Sequence, residues 1–277
     1  MARFAEKLLN LDRRIIFLVL FLAVAIPILV RFPLPIKPSP LVKAVYDKIE
    51  ELAQKPASRV LISFDYDPSA KPELQPMALA ILRHCFKRGV KVIGMTHWPA
   101  GQGLAEEALR TTAREYGRKY GEDYVFLGYK PGMGILILNM VQDFQLAFER
   151  DSKGNKLSEL PLTKGLRSLR DIDYLIDLAA GNSIEYWIVW GQEKAKFPMG
   201  AGCTAVIAPD MYPFTNSGNL NGLIGGLAGA AEYESLIGRP GKAADGMRPQ
   251  SVAHGVIVTF ILLGNLLFVW EKIRRRS

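Results

Sequence analysis

The sequence predicts an α/β fold: a three-layer domain with a mainly parallel sheet of about five strands, flanked by an N-terminal and a C-terminal transmembrane helix. Two patterns support this prediction. Short apolar segments alternate along the chain with helical segments, which is typical of βαβ units. Two longer apolar runs lie near the chain ends, each beside a group of basic residues.

The positive charge of the chain is concentrated near its ends. The formal net charge is +8 over 277 residues. Residues 1–14, Arg31 and residues 271–277 carry six of these eight charges, so the rest of the chain is nearly balanced. A nucleic-acid-binding protein needs a clustered basic face. The distribution therefore argues against a nucleic-acid partner and favours a lipid bilayer.

The two apolar runs predict membrane spans. Residues 15–30 are free of charge, and residues 252–270 are interrupted only by His254, Thr259 and Asn265. A span takes about 20 residues, with about 17 as the lower limit. The first run could instead be a cleavable signal peptide, but no small-residue cleavage site follows it. The second could be a core helix, but a basic cluster follows it directly.

The basic flanks also predict an orientation, because positively charged flanks stay in the cytoplasm. We expect a cytoplasmic segment 1–14, a transmembrane helix 15–31, an extracytoplasmic α/β domain 32–250, a second transmembrane helix 251–270 and a basic cytoplasmic tail 271–277. This organisation places the protein in the cytoplasmic (inner) membrane with both termini inside. Arg31, Lys37 and Lys43 follow the first span and weaken the charge bias.

The middle segment reads as alternating strands and helices. The expected strands are 60–64, 90–96, 124–127, 174–178 and 204–208, and the expected helices are 41–54, 73–88, 103–120, 135–148, 182–196 and 219–237. Short apolar strands suit a sheet covered on both faces. The pattern predicts a doubly wound domain of the Rossmann or flavodoxin type.

Ligands of such sheets bind beyond the carboxyl ends of the strands. The loops there are rich in Gly, Pro, aromatic and polar residues, and they supply these ligand-binding candidates: Thr96, His97, Lys130, Asn182, Ser183 and Asp210. Lys130 lies in GYKPGMG, which could cradle an anion or could be a Gly/Pro turn. Helix capping alone also explains polar loops, so both interpretations stay open.

The first strand ends in an acidic motif, Asp65-Tyr66-Asp67. An apolar strand that ends in D-x-D resembles the first motif of haloacid-dehalogenase-type phosphotransferases, and Met95-Thr96 resembles their second. The resemblance implies Asp65 as nucleophile, Asp67 as acid/base and bound Mg²⁺. The family's acidic pair after the fourth strand is missing, since Asp177 precedes that strand's end. The alternative is an Asp turn before Pro72, with no cofactor and no metal.

The two cysteines and the glycine-rich segment complete the candidates. Cys85 is expected within a helix and Cys203 at a strand start, either as buried thiols or as a disulfide. Glycines four residues apart in the last expected helix favour close helix contact. Together with two polar residues of the second span, they form the predicted interface set: Gly222, Gly225, Gly226, Gly229, His254 and Asn265.

No complete catalytic set is present in the sequence, so an enzyme is the less favoured reading. We expect a two-pass accessory or structural subunit of a membrane complex, with other membrane-protein subunits or further copies as partners. Two alternatives stay open: a membrane-anchored hydrolase or phosphotransferase that uses Asp65, Asp67 and Mg²⁺, and a membrane-tethered domain that binds a small ligand.

Overall fold

A computed structural model describes residues 12–30, 32 and 35–274. Residues 1–11 of the expected cytoplasmic segment 1–14 and residues 275–277 of the expected tail 271–277 therefore lie outside the described residues. The chain forms two compact units. One is the α/β domain, Ile36–Ala243, and the other comprises the chain segments that precede and follow it.

The α/β domain is built on one parallel sheet. Its strands are β1 Arg59–Asp65, β2 Lys91–Thr96, β3 Tyr124–Tyr129, β4 Tyr174–Ala179, β5 Met199–Cys203 and β6 Leu223–Gly225. Their order is β3-β2-β1-β4-β5-β6, and every pair is parallel. This is the Rossmann strand order. The strands β2 and β3 are added on one side of β1, and the strands from β4 to β6 are added on its other side, so the order of addition reverses between β1 and β4. The prediction of a parallel α/β sheet is confirmed, with six strands rather than five.

Helices cover both faces of the sheet. The described helices are α1 Arg13–Leu29, α2 Pro40–Leu52, α3 Lys71–Arg88, α4 Gln102–Glu115, α5 Met133–Gln142, α6 Phe144–Ala147, α7 Ser183–Tyr186, α8 Glu193–Ala195, α9 Ala208–Asn216, α10 Gly226–Leu236 and α11 Lys242–Arg274. Helices α2, α3, α4 and α10 pack on one face. Helices α5 to α9 pack on the other, where side chains of all the strands from β1 to β6 join them in one apolar core.

The last two strands differ from the sequence prediction. The segment Thr204–Ala208 is β-branched and apolar, yet the fifth strand is Met199–Cys203. The glycines of Met199–Cys203 explain why this segment forms the strand. A Cβ at Gly200 would overlap the Tyr174 hydroxyl, and one at Gly202 would overlap Met77 Sδ. The strand fits only because these positions lack side chains, and small residues are a weak strand signal.

The expected helix 219–237 divides into two elements, the short edge strand β6 and helix α10. Gly226, with φ +59°, makes the turn between them. The expected helix 135–148 also divides, because the Asp143 carboxylate accepts hydrogen bonds from the backbone of Gln145 and Leu146 and so begins α6.

Both ends of the α/β domain are held by helix α10. Glu232 accepts hydrogen bonds from the backbone and hydroxyl of Ser39, at 2.8 and 2.7 Å. The buried Glu234 accepts from the backbone of Gly241 and Ala243, at 2.8 and 3.2 Å. The chain therefore enters and leaves the domain beside two glutamates that are two residues apart.

The segments outside the domain form two apolar helices. Among the described helices, α11 is the one long and apolar enough to cross a bilayer. Helix α1 begins at Asp12, whose carboxylate accepts from the backbone of Arg14, and has 17 residues. At 1.5 Å per residue it is about 25 Å long, shorter than a bilayer core of about 30 Å. The structure thus supports one of the two expected spans.

Candidate functional site

The candidate site is a buried group of polar side chains at the carboxyl end of the sheet, between β1 and β4. Asp65, the last residue of β1, is fully buried. Its carboxylate accepts hydrogen bonds from Ser63 Oγ at 2.7 Å and from the His97 backbone at 2.6 Å. Thr96 Oγ1 lies 3.4 Å from the same carboxylate. These donors fix its orientation.

Asp177 lies beside Asp65. In the parallel register it pairs with Ser63, so its side chain points to the same sheet face as those of Ser63 and Asp65. It is fully buried, and neither carboxyl oxygen has a hydrogen-bond partner among the described residues. Burial raises the pKa of Asp177 well above its ordinary value, and the charge of Asp65 raises it further. Side-chain interactions with the Ser183 hydroxyl, which lowers this pKa, and with the Asp65 carboxyl group, which raises it, add to these effects.

Three further buried side chains belong to this group: Ser183 beside Asp177, His97 beside Asp65, and Trp187 beside His97. His97 follows β2, and its ring centroid lies 5.4 Å from that of Trp187. Burial lowers the pKa of His97, while Asp65 acts in the opposite direction. Both ring nitrogens of His97, Ser183 Oγ and Trp187 Nε1 lack hydrogen-bond partners among the described residues.

The grouping of these atoms distinguishes the site. Within the described part of the chain, seven buried side-chain N or O atoms lack a partner, and six belong to Asp177, His97, Ser183 and Trp187. Buried polar groups are partnered in the large majority of cases, and each exception costs about 1–3 kcal/mol. Their concentration at one edge of the sheet makes this group the candidate functional site.

Trp187 and Ser183 are carried by an unusual helix. Between α7 and α8, residues Trp187–Gln192 form a π-helix. Such helices are rare and often occur at functional sites. The wide turn brings Gly191 close to two neighbours: a Cβ there would lie 3.1 Å from side-chain atoms of Ile137 and Phe197. This turn keeps Trp187 fully buried, facing His97.

Two loops cover the site. The loop after β2 contains a short 3₁₀ turn, Pro99–Gly101. A Cβ on Gly101 would lie 2.8 Å from the Phe64 carbonyl oxygen, so this loop rests directly on the end of β1. Trp98 of the same loop packs against Gly181 of the loop after β4. The contacts enclose Asp65 and account for its complete burial.

The structure brings together half of the predicted ligand-binding residues. Thr96, His97 and Ser183 lie at the site. Lys130 does not, because its ammonium donates to the Ala147 carbonyl and lies 5.1 Å from the centre of the Phe148 ring. Asn182 and Asp210 are exposed. The Lys130 contacts support the Gly/Pro turn rather than an anion cradle.

Sequence reasoning missed Asp177 and Trp187 as site residues. Asp177 is an acid within an apolar strand, Tyr174–Ala179, which is the available signal for a buried functional carboxyl group. Trp187 lies five residues after Asn182, where the loop that follows this strand ends. Nothing in the sequence around Trp187 distinguishes it from a core tryptophan.

Asp67 has a separate role. It is partly exposed and accepts hydrogen bonds from the backbone and hydroxyl of Ser69, at 2.8 and 2.5 Å. These bonds lower the pKa of Asp67. This is the geometry of an Asp turn. Among the described residues, no group of three or more His, Cys, Asp or Glu side chains could hold a metal ion.

Cys203 requires a correction. The sequence placed it at a strand start, but it ends β5, at the same sheet edge as Asp65. Burial, with a contribution from the Asp177 charge, raises the pKa of Cys203 to about 12. Cys85 in α3 is also a free, buried thiol. A disulfide between them is therefore not formed, and Cys203 is an unreactive thiol at neutral pH.

The predicted interface glycines pack inside the domain. A Cβ on Gly222 would lie 2.6 Å from the Leu41 carbonyl oxygen, and one on Gly226 would lie 2.8 Å from Ala205 Cβ. Gly225 and Gly229 approach Ala208 and Ile224 in the same way. Two residues of the set, His254 and Asn265, are exposed on α11, and their interface role stays a prediction.

Comparison with protein-family models, curated proteins and solved structures found no match to this chain.

Proposed function

We propose that this protein is a membrane-anchored binding protein whose α/β domain holds a small polar ligand between β1 and β4. One observation carries the proposal: six buried polar atoms without partners converge where a Rossmann-type sheet binds its ligands. A ligand that supplied their hydrogen bonds would offset the cost of burying them.

The chemistry of the site argues against a dinucleotide. The loop after β1 reads DYDPSAK, without the glycines that let a backbone approach a pyrophosphate. Two carboxyl groups lie where the phosphates would be expected. The ligand is therefore better sought among molecules without phosphate.

We propose that α11 anchors the protein in the cytoplasmic membrane and that α1 forms a second span. At 17 residues, α1 meets the lower limit for a span, and Arg13 and Arg14 at its start can extend to the lipid headgroups. The attachment of both domain ends to α10 supports this arrangement, because the two linkers leave the domain at the same helix. The basic flanks favour cytoplasmic termini and an extracytoplasmic domain.

A second candidate function is that of an accessory subunit in a membrane complex. Large apolar side chains are exposed on α5 and the π-helix: Ile135 at 72%, Val189 at 46% and Trp190 at 38%. They are neighbours, since a Cβ on Gly134 would lie 3.2 Å from Trp190 Nε1. Exposed apolar patches of this kind are typical of protein contacts.

Native mass spectrometry of the full chain, purified in mild detergent from its own membrane, tests the ligand-binding function. We expect a small molecule to remain bound to the wild type and to be lost from Asp177→Asn. The matched control is Asp47→Asn, which alters an exposed carboxylate on α2. The proposal is wrong if both the wild type and the variant carry nothing. Crosslinking in native membrane tests the accessory role, and recovery of the chain alone would contradict it.

A further inference from the structure

Among the described residues, no positive side chain balances the two carboxyl groups of the buried site. Every described hydrogen-bond donor to Asp65 is neutral: Ser63, Thr96 and the His97 backbone. Asp65 is the charged group that acts on the pKa of both Asp177 and His97. Within the described residues, neither carboxyl group forms an ion pair with Lys or Arg.

A buried pair of carboxyl groups needs compensation. One unbalanced carboxylate is costly to bury, and a second beside it is more so, unless one is protonated or a cation is bound. The surroundings of Asp177 favour the first arrangement, because burial and the charge of Asp65 raise its pKa. An anionic ligand would add to the repulsion. A cationic ligand would replace the proton and let both carboxyl groups ionise.

The unpartnered atoms define the remaining chemistry of the ligand. Asp177 offers two acceptor oxygens. Trp187 Nε1 is a donor only, while the Ser183 hydroxyl and the neutral His97 ring can each donate as well. The ligand must therefore present N–H or O–H donors to Asp177 and an oxygen acceptor to Trp187. The side chains of Asp177, Ser183, His97 and Trp187 are at most 7% exposed, and this enclosure restricts the ligand to a few heavy atoms.

We propose that this site binds a small primary ammonium compound that also carries a hydroxyl group, with the ammonium replacing the proton of Asp177. The inference rests on the ligand-binding function proposed above. The ammonium enters with its three N–H donors, and the O–H bond of Asp177 breaks. Its proton passes to solvent, so the charge of the site is unchanged.

The other titratable groups at the site do not supply this proton. The pKa of His97 is lowered by burial, so its ring is already neutral near pH 7. Cys203, from β5, has a pKa of about 12 and stays a thiol. Both carboxyl oxygens of Asp65, from β1, already accept hydrogen bonds, from Ser63 Oγ and from the His97 backbone. Proton release on binding therefore reports Asp177.

Isothermal titration calorimetry of the full chain in detergent tests the inference with three probes: ethanolamine, ethylene glycol and inorganic phosphate. Titrations at pH 6 in buffers of different ionisation enthalpy give the number of protons released. We expect ethanolamine to bind with release of about one proton. Ethylene glycol, which lacks the ammonium group, should bind at least about tenfold more weakly, and phosphate should not bind.

Variants assign the binding to this site. Asp177→Asn should weaken ethanolamine binding by about tenfold and abolish proton release. Ser183→Ala, a smaller change, should weaken binding without altering the proton count, which covers the case in which Asp177→Asn does not fold. Asp47→Asn should match the wild type in both measurements.

The outcomes separate this inference from the proposed function. Equal affinity for ethylene glycol and ethanolamine, or binding of phosphate, would overturn the cationic ligand and leave the binding function standing. Ethanolamine binding that Asp177→Asn leaves unchanged would overturn the inference as well. If no probe binds, the inference fails, and native mass spectrometry then decides on the binding function by itself.

Discussion

Asp65 and Asp177 are neighbouring buried carboxyl groups in opposite surroundings. Asp65 accepts hydrogen bonds from Ser63 and from the His97 backbone, whereas Asp177 accepts none among the described residues. The difference favours a proton on Asp177, because burial and the charge of Asp65 raise its pKa.

Replacing Asp177 with Asn should stabilise the domain at neutral pH. Because the folded pKa of Asp177 lies above the unfolded value of 3.8, the folded state holds a proton that the unfolded state releases. Stability is therefore lost as pH rises above about 3.8. We expect Asp177→Asn to gain about 1 kcal/mol at pH 7 and nothing at pH 3.5. Urea unfolding of the full chain at both pH values measures this, and a loss at pH 7 would contradict it.

Replacing Ser63 with Ala should have the opposite effect. The change removes the 2.7 Å hydrogen bond to Asp65 and leaves a buried carboxylate with one donor fewer. We expect a loss of about 1–3 kcal/mol in the free energy of unfolding. Ser69→Ala is the control, since Ser69 donates to the partly exposed Asp67 and should cost less than about 0.5 kcal/mol. Equal effects of the two changes in urea unfolding would count against the proposed arrangement of Asp65.

Two Gly→Ala changes should act in opposite directions. At Gly200 the new methyl group would overlap the Tyr174 hydroxyl inside the core, which should cost about 1–3 kcal/mol. At Gly103 in α4, nothing lies within 4 Å of the new Cβ, and alanine should stabilise the helix by about 0.5–1 kcal/mol. Thermal unfolding of the two variants provides the measurement. A stabilising Gly200→Ala would show that β5 packs differently.

The domain should lose stability in mild acid. His84 is buried between Glu50, 2.7 Å from its Nε2, and the Tyr233 hydroxyl, 2.8 Å from its Nδ1. Burial lowers the pKa of His84 despite Glu50, so the unfolded state, with a pKa near 6.5, binds the proton more readily. Its contribution to stability is thus present above pH 6.5 and is lost as pH falls below it.

Urea unfolding between pH 7.5 and pH 5 measures this dependence. His84→Gln should flatten the curve, whereas His254→Gln, at an exposed position on α11, should leave it unchanged. Since the pKa of His97 shifts in the same direction, some pH dependence should remain in His84→Gln. An unaltered slope in His84→Gln would refute the role of His84.

The proposed topology predicts the location of each chain end. A reporter protein that is active only in the cytoplasm should be active when fused after Ser277 and also when fused before Met1. The same reporter inserted at Gly154, in a turn of the α/β domain, should be inactive. The same result before Met1 and at Gly154, with the opposite result after Ser277, would remove α1 as a span. Activity at all three positions would remove both spans, and the reverse of the expected pattern would invert the orientation.

The first four strands were predictable because each combines an apolar run with turn residues on both sides. Residues 60–64 were expected and Arg59–Asp65 form β1, with similar agreement for β2, β3 and β4. The last two strands were not predictable in this way. The side chains of Tyr174 and Met77 leave no space for a Cβ at Gly200 and Gly202. A single sequence does not show these neighbours.

The candidate site was predictable only in part. Thr96, His97 and Ser183 follow strands directly, so the rule that ligands bind at carboxyl ends finds them. Asp177 lies within a strand, and its importance depends on the register that sets it opposite Ser63. The π-helix that carries Trp187 has no local sequence signature, because its composition also suits an ordinary amphipathic helix.

The attachment of Ser39 to Glu232, and of Gly241 and Ala243 to Glu234, makes the α/β domain a cassette. A module whose two ends are fastened to one helix can be cut out of its host chain or grafted into another as a single unit. Residues 39–243 are thus suited to transplantation into an unrelated helical hairpin. A mechanical force between the two arms of that hairpin would pass through α10, where both domain ends are attached, and the sheet would not bear it.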